Sequence, residues 1–509
     1  MGVMAMQINR QSEVPAYMQL RNYLREQILR GDLSPGTRLP PEREMARRLG
    51  VSRTTIVSAY DELVAEGLVE AHVGRGTVVL APAPAGVAAA EAVQPIAWPA
   101  HFSSLAQRLQ GPAAAELLTL RQLSLKPNIL SFASGFPAPS LIPPQRFHEA
   151  WDAVLREVGF EATAPSPIQG LGVLRELIAD RLAHKGILAQ PENVIVVSGS
   201  QQGLDLLTRL LAEPGDTVMC EAPTYFGALQ AFQVQGLRVI GVPVDREGMD
   251  IGRVEALLAR YRPRFIYTQP NYQNPTGSTM SLERREKLLR LAQRYQVPIL
   301  EDDPFGDLWF DQPPPPAVKA LDRSGHVIYL STFSKSLAPG LRIGWLTAPQ
   351  PLVDLGILLK RVADLQPNTG GQHLVVEFAR RGWLDEILDQ ARSTYRRRCL
   401  TMDSALRKHL PDGAQWLRPA GGLFLWLELP EEVSAHQLLA EAGKEGCIFM
   451  PGRVLYPSQG PRHVCRLNFT TYDEPTLEQG IANLGRALKR LTSGGSGAPP
   501  GDVAASAVV

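Results

Sequence analysis

Apolar positions fall into two regimes along the chain. From residue 10 to 80 they recur at helical spacing in three short runs. Tyr17, Leu20, Tyr23, Leu24, Ile28 and Leu29 follow Pro15 and stop at Gly31, which predicts an amphipathic helix. Met45, Ala46 and Leu49 mark a second helix that opens near Pro40-Pro41-Glu42 and ends at Gly50. Proline and acid suit its first turn. Ser52 suits the N-cap of a third helix, whose apolar stripe is Ile56, Ala59, Tyr60, Leu63 and Val64 and whose end is Gly67. Two β runs, 68–72 and 77–80, flank the turn Val73-Gly-Arg-Gly76. From about residue 125 to 490, short apolar runs alternate with helical ones. Asn193–Val197, Phe265–Thr268, Val297–Leu300 and His326–Leu330 read as strands. The alternation predicts an α/β unit with a mostly parallel sheet and helices on both faces. Beyond about 380, a helical stretch at 383–402 and short strands at 423–427 and 447–450 predict a smaller C-terminal subdomain.

The expected domains are therefore a small three-helix unit with a β hairpin at 10–80, a linker at 81–115, an α/β domain at 116–490 and a disordered tail at 491–509. Residues 81–100 are rich in Ala, Pro, Gly and Val, as an extended, movable linker would be. The tail is rich in Gly, Ala, Ser and Pro. A length of 509 residues requires more than one domain, and 44% hydrophobic with 20% charged residues is globular. The net charge of +1 gives no global pull toward nucleic acid or membrane, so any DNA contact must be local. Cys220, Cys399, Cys447 and Cys465 are scattered without metal-ligand spacing. They read as reduced thiols of a cytoplasmic protein, with no metal site. No signal-peptide core and no membrane-spanning run is present.

The strand at 326–330 delivers Ser331-Thr-Phe-Ser-Lys335. A lysine that forms an imine must be held in place, with neighbours that manage its proton. The hydroxyls of Thr332 and Ser334, with the planar fork of Arg342, suit a phosphate dianion. Alone, the segment equally suits a solvated lysine on a surface turn. A second phosphate-compatible feature is Ser198-Gly-Ser-Gln-Gln-Gly203. This glycine-bearing turn enters a helical run and would present Ser200 and Gln201 at a helix N-terminus.

Together these segments resemble the class I/II aminotransferases, fold type I enzymes that use pyridoxal 5'-phosphate (PLP). The resemblance implies that Lys335 carries PLP as a Schiff base. It further implies that Tyr225 of Glu221-Ala-Pro-Thr-Tyr225 stacks on the ring. Asn274 of the Asn-Pro-Thr-Gly turn would meet the ring hydroxyl, and Asp302 at the end of Val297–Asp303 would pair with the ring nitrogen. Arg466 would grip a substrate carboxylate, beside the Gly135 turn of Phe132–Pro137. Each residue also has an ordinary structural reading: core tyrosine, turn asparagine, strand-end carboxylate or ion pair. The ordered series makes the cofactor reading the stronger.

The N-terminal elements form a winged helix-turn-helix. Arg38–Met45, Leu49-Gly-Val-Ser-Arg-Thr-Thr-Ile56, Glu66–Val69 and Gly74-Arg-Gly-Thr77 resemble the GntR-family DNA-binding domain. Arg53, Thr54 and Thr55 open the third helix, where side chains can enter a major groove. Arg43 would lie near the backbone, and Gly74 and Arg75 form the wing tip. Five arginines between residues 38 and 53 face only Glu42 and Glu44. The competing use is a protein-binding winged helix; the basic and hydroxylic groove positions favour double-stranded DNA.

The fusion resembles the MocR subfamily of bacterial transcription regulators. It implies a homodimer with PLP on Lys335, and an amine, amino acid or vitamin B6 form as effector. Two positions depart from the family. Phe305 stands where a tyrosine usually donates to the ring oxygen, and Pro165 stands at or near a tyrosine that reaches the partner's phosphate. Both losses spare attachment and weaken tuning, which favours a sensor with at most a slow half-reaction. The alternative readings are an active aminotransferase with a vestigial DNA-binding unit, and a regulator that binds no cofactor.

Overall fold

A computed structural model describes residues 6–9, 12, 14–72, 76–80, 96–110 and 112–493. The chain divides into two compact units, with the division between His101 and Phe102.

In the first unit, α1 (Ala16–Leu29), α2 (Glu42–Leu49) and α3 (Arg53–Ala65) precede the antiparallel hairpin β1 (Val69–His72) and β2 (Gly76–Val79). Ser52 caps α3 through a hydrogen bond from the Thr55 N–H, which satisfies one orphan donor of the first turn. Gly50 closes α2 in the left-handed conformation. Leu20, Leu24, Ile28, Met45, Ile56, Tyr60 and Leu63 form one buried cluster. Two expected core positions are corrected. Leu29 and Val64 are exposed, because each lies one residue beyond the arc of its helix that meets the other two.

The second unit starts with α4 (Ser104–Arg108) and α5 (Pro112–Ser124); α4 and the first turn of α5 lie within the stretch expected as linker. After β3 (Leu130–Ser131), α6 (Pro144–Val158) and α7 (Gly172–His184) comes the main sheet. Its strands are β4 (Val194–Val197), β5 (Thr217–Ala222), β6 (Arg238–Asp245), β7 (Gly248–Met249), β8 (Ile266–Thr268), β9 (Ile299–Asp302), β10 (Val327–Thr332) and β11 (Gly344–Thr347). They lie in the order β4-β11-β10-β9-β8-β5-β6-β7. Neighbours from β10 through β6 pair in parallel, whereas β11 is antiparallel to both of its neighbours and β7 to β6. The sheet is covered on both faces. Val194 and Val196 face the cluster of α6 and α7, whereas Ile195 and Val197 face the opposite cluster with Leu204 and Phe232. Burial on both sides explains why these strands read as unbroken apolar runs.

A smaller four-stranded sheet follows, with β12 (Gln415–Trp416), β13 (Phe424–Glu428), β15 (Met450–Pro451) and β16 (Val464–Asn468). β14 (Cys447–Ile448) instead pairs in parallel with β3. The Phe132–Pro137 turn is thereby held by the smaller subdomain: the Phe132 N–H donates to the Ile448 carbonyl and the Asn468 N–H to the Phe132 carbonyl. The turn therefore belongs to the smaller subdomain and not to the main sheet. The helical stretch begun at Trp383 runs on to His409, past the expected end at 402.

Candidate cofactor cavity and DNA-facing helix

Six parallel strands point the same way, and five of them end at one cavity. Beyond β4 lie Ser200 and Gln201, the start of α8 (Ser200–Leu211). Beyond β5 lies Tyr225, the residue before α9 (Phe226–Gln235). Beyond β8 lie Gln269 and Asn274; β9 ends on Asp302; β10 leads through Thr332 and Ser334 to Lys335. Ligands of open parallel sheets settle at this carboxyl edge. The cavity, about 240 Å³, is lined by all of these with Gly135, Phe136, Pro304, Phe305, Arg342, Phe424 and Arg466. All eleven positions named from sequence for cofactor and carboxylate thus surround one space. Gln269, Phe136, Pro304 and Phe424 join them without having been singled out.

Lys335 Nζ donates to the Gly135 carbonyl over 2.6 Å, a bond from the main sheet to the smaller subdomain. Burial, the Arg466 guanidinium and then that of Arg342 lower its pKa to about 8, and Asp302 opposes the shift. A neutral amine is the nucleophile. PLP capture by the apoprotein is therefore expected to accelerate about tenfold per pH unit up to roughly pH 8 and then level off. Stopped-flow absorbance would check this; a rise continuing unchanged to pH 10 would contradict it.

Asp302 is buried, and burial raises its pKa to about 6. Its Oδ2 accepts from Tyr267 OH at 2.7 Å and from Gln269 Nε2 at 2.8 Å. Its Oδ1 is buried with no partner. A buried acceptor left open is costly, and a ligand N–H donor would satisfy it. Arg466 donates to Asn274 Oδ1 at 2.8 Å and to the Ala133 carbonyl at 2.5 Å. Its Nε is buried without a partner, open to an incoming carboxylate. The guanidinium lies 4.0 Å from the Phe424 ring centroid, and burial lowers its pKa to about 10, so the cation persists at neutral pH.

A phosphate cradle is equally well formed. Arg342 Nη2 donates to the Ser198 carbonyl at 3.0 Å and its Nη1 reaches Ser334 Oγ at 3.4 Å. Thr332 Oγ1 donates to Ser334 Oγ at 3.0 Å. Gly199 has φ +80°, and a Cβ there would stand 2.4 Å from Arg342 Nη2. Arg342 itself has φ 57°, strain of the kind that surroundings enforce at binding sites. The open acceptor, the cradle and the α8 N-terminus fit PLP. When bound, PLP would supply an electron-withdrawing ring and a carbonyl carbon for amines, and the residues of the cradle, Asp302 and Lys335 would be placed to hold it.

In the first unit, Arg53, Thr54 and Arg43 are exposed, and Thr55 is half-buried. Arg53 is not free: its Nε and Nη2 donate to Glu42 Oε2 at 3.0 and 2.8 Å. Glu42 thus holds the arginine fork at the start of α3. Gly74 and Arg75 lie outside the described residues. Arg53→Ala is expected to weaken binding to a specific operator fragment about tenfold to a hundredfold. Fluorescence anisotropy at fixed salt reads this loss, and equal weakening on unrelated DNA would remove Arg53 from base reading.

A lysine facing a buried carboxylate and an anion-compatible cradle at the carboxyl edge of such a sheet fits a fold type I PLP protein, here fused to a winged helix. The chain belongs to the class I and II aminotransferase family, whose model matches residues 141–484, and residues 16–79 match the gntR family of bacterial regulatory proteins. The family is PLP-dependent. The chain is 38% identical over 402 residues to the 2-aminoadipate transaminase of Thermus thermophilus, covering 78% of this chain and 99% of that protein. It is 32% identical over 507 residues to the probable rhizopine catabolism regulatory protein MocR of Rhizobium meliloti, covering 98% of this chain and 99% of that protein. Among solved structures, α-aminoadipate aminotransferase LysN of Thermus thermophilus, complexed with N-(5'-phosphopyridoxyl)-L-leucine, matches with TM-score 0.73 and 37% identity. It covers 78% of this chain and all of that one.

Proposed function

We propose that this protein is a PLP-dependent transcription regulator. Residues 10–80 read double-stranded operator DNA, residues 81–115 connect, and residues 116–490 sense PLP or an amino compound at Lys335. The observation that carries this reading is the union of a complete lysine site with a helix-turn-helix unit in one chain. Relatives described as HTH-type or MocR regulators align over 93–98% of the chain. Those named as aminotransferases align over 74–78%.

Roles follow from the contacts. Lys335 is the amine that PLP engages. Asp302 holds a proton on the ring nitrogen, and Asn274 meets the ring oxygen. Tyr225 stacks on the ring; burial pushes its hydroxyl up to about 12, so it stays neutral. Ser200, Gln201, Thr332, Ser334 and Arg342 hold the phosphate. Arg466 takes an effector carboxylate beside Gly135. Phe305 is buried and packs edge-on against Phe424 with centroids 5.9 Å apart, so no hydroxyl reaches the ring oxygen from that side. This absence favours sensing over rapid turnover. Retention of Lys335, Asp302 and Arg466 together favours a slow amino-transfer half-reaction as a second activity.

The effector signal has a route out of the site. α9 starts beside Tyr225, and its far end accepts from the connector: Arg108 Nε donates to the Val234 carbonyl at 2.9 Å. The next connector helix, α5, pairs Glu116 with His436 of the smaller subdomain at 2.9 Å. The connector therefore spans both subdomains, and a change in their angle strains it. A homodimer is supported by the exposed Leu355, Leu358 and Val362 at helical spacing on residues 350–363 and by exposed Phe160. Among the described residues no helix is long and apolar enough to cross a membrane, in keeping with a cytoplasmic role. The test is binding to DNA upstream of the protein's own gene, with and without PLP, at several salt concentrations. Specific binding that PLP changes supports the reading. Steady transamination with no sequence-specific binding would replace it with the aminotransferase.

A further inference from the structure

We propose that Glu221 is a positioning residue of the cofactor site: its buried carboxylate anchors the turn 269–277 and, through Gln269, orients Asp302. This rests on the reading of the cavity as a PLP site.

Glu221 sits near the end of β5 and is 1% exposed. It does not line the cavity. Its carboxylate accepts from Thr268 Oγ1 at 2.5 Å, from the Gln269 N–H at 3.2 Å to each oxygen, and from Gln273 Nε2 at 3.2 Å. All are neutral donors, and no lysine or arginine among the described residues bonds it. Gln269 then donates from Nε2 to Asp302 at 2.8 Å, and its Oε1 accepts from the Asn274 N–H at 3.2 Å. Gln273 holds the other end of the turn, its Oε1 accepting from the Thr276 N–H at 3.0 Å. One carboxylate therefore holds the Gln269 backbone and the Gln273 side chain, and the Gln269 side chain in turn holds the two residues assigned to the ring nitrogen and ring oxygen. An ion in such a dry place costs several kcal/mol unless its hydrogen bonds are needed. A structural anchor alone could be an amide or a hydroxyl.

The anion also acts at a distance. The titratable groups that feel it are Asp302, Tyr267 and Cys220. Burial holds its own pKa near 7, so at alkaline pH it adds negative potential behind the ring. Withdrawing that potential loosens any proton held on a site nitrogen.

The test uses the full-length protein as wild type, E221Q and T268V. In E221Q one acceptor oxygen becomes a donor facing Gln273. T268V removes one donor to Glu221, and Thr268 itself does not line the cavity. PLP affinity is read by tryptophan fluorescence quenching, and the pH midpoint of the bound cofactor's absorbance change is read on the same samples. E221Q is expected to bind PLP about tenfold more weakly, the size of a lost hydrogen bond to a charged acceptor, with its absorbance midpoint moved to lower pH. T268V should shift affinity and midpoint in the same directions by less. If E221Q fails to fold, T268V alone decides. Wild-type affinity and midpoint in a folded E221Q, or in T268V where E221Q fails to fold, overturn the proposal while leaving the cofactor reading intact. A wild type that binds no PLP overturns both.

Discussion

Lys335→Ala is expected to abolish covalent retention of PLP and, with it, the response of DNA binding to PLP, while DNA binding measured without PLP stays at its wild-type value. Lys335 is the one amine among the described residues that line the cavity. The alanine variant keeps Asp302, Asn274, Arg342 and the α8 N-terminus, so PLP still docks but dialyses away and lacks the visible band of a lysine-linked cofactor. The substitution also removes a cation that faces Arg466 and Arg342. Thermal stability of the apoprotein should therefore not fall. Absorbance after dialysis and operator titration with and without PLP read the two expectations. A variant whose DNA binding still responds to PLP would mean that PLP acts at another place.

Asp302→Asn is expected to leave PLP bound but slow amine exchange by about a hundredfold to a thousandfold, the scale of losing one preorganised charge-stabilising group. The contacts dictate how the amide sits. Tyr267 OH and Gln269 Nε2 both donate to Oδ2, so the asparagine must turn its oxygen toward them. Its NH2 then occupies the Oδ1 position and donates toward the ring nitrogen, which can no longer hold a proton. Electron withdrawal by the ring falls accordingly. Single-turnover absorbance with an amino donor measures the rate. Exchange at the wild-type rate would mean that ring protonation does not depend on Asp302. At equilibrium the variant should still answer PLP in DNA binding, because sensing needs docking and attachment rather than turnover.

The division of the chain and most of the cavity were legible in one dimension. Four site segments each follow a short apolar run, and an apolar run buried on both faces announces a parallel strand whose end must carry whatever lies at the sheet's carboxyl edge. Lys335 and Ser200 are legible from that local adjacency together with turn and glycine chemistry, whereas Asn274 and Asp302 are legible through the resemblance to the class I/II aminotransferases. The winged helix was legible because its caps and stripes are local too, although Leu29 and Val64 turned outward. A stripe gives a helix face but not the width of its partner.

The sequence by itself determined the elements, their order, and which side chains stand at strand ends, since these follow from short-range propensity and periodicity. Only the tertiary structure decided the pairings between distant segments. Strand order sets β5 beside β8 and so brings Glu221 to Gln269, a contact that no spacing announces. Pairing of β3 with β14 hands the Gly135 turn to the smaller subdomain, and the Arg466 to Asn274 bond joins residues 192 apart. Such contacts depend on loop closure and on the burial of apolar faces as a whole. The same folding sets Arg53 at the start of α3 against Glu42, to which its Nε and Nη2 donate.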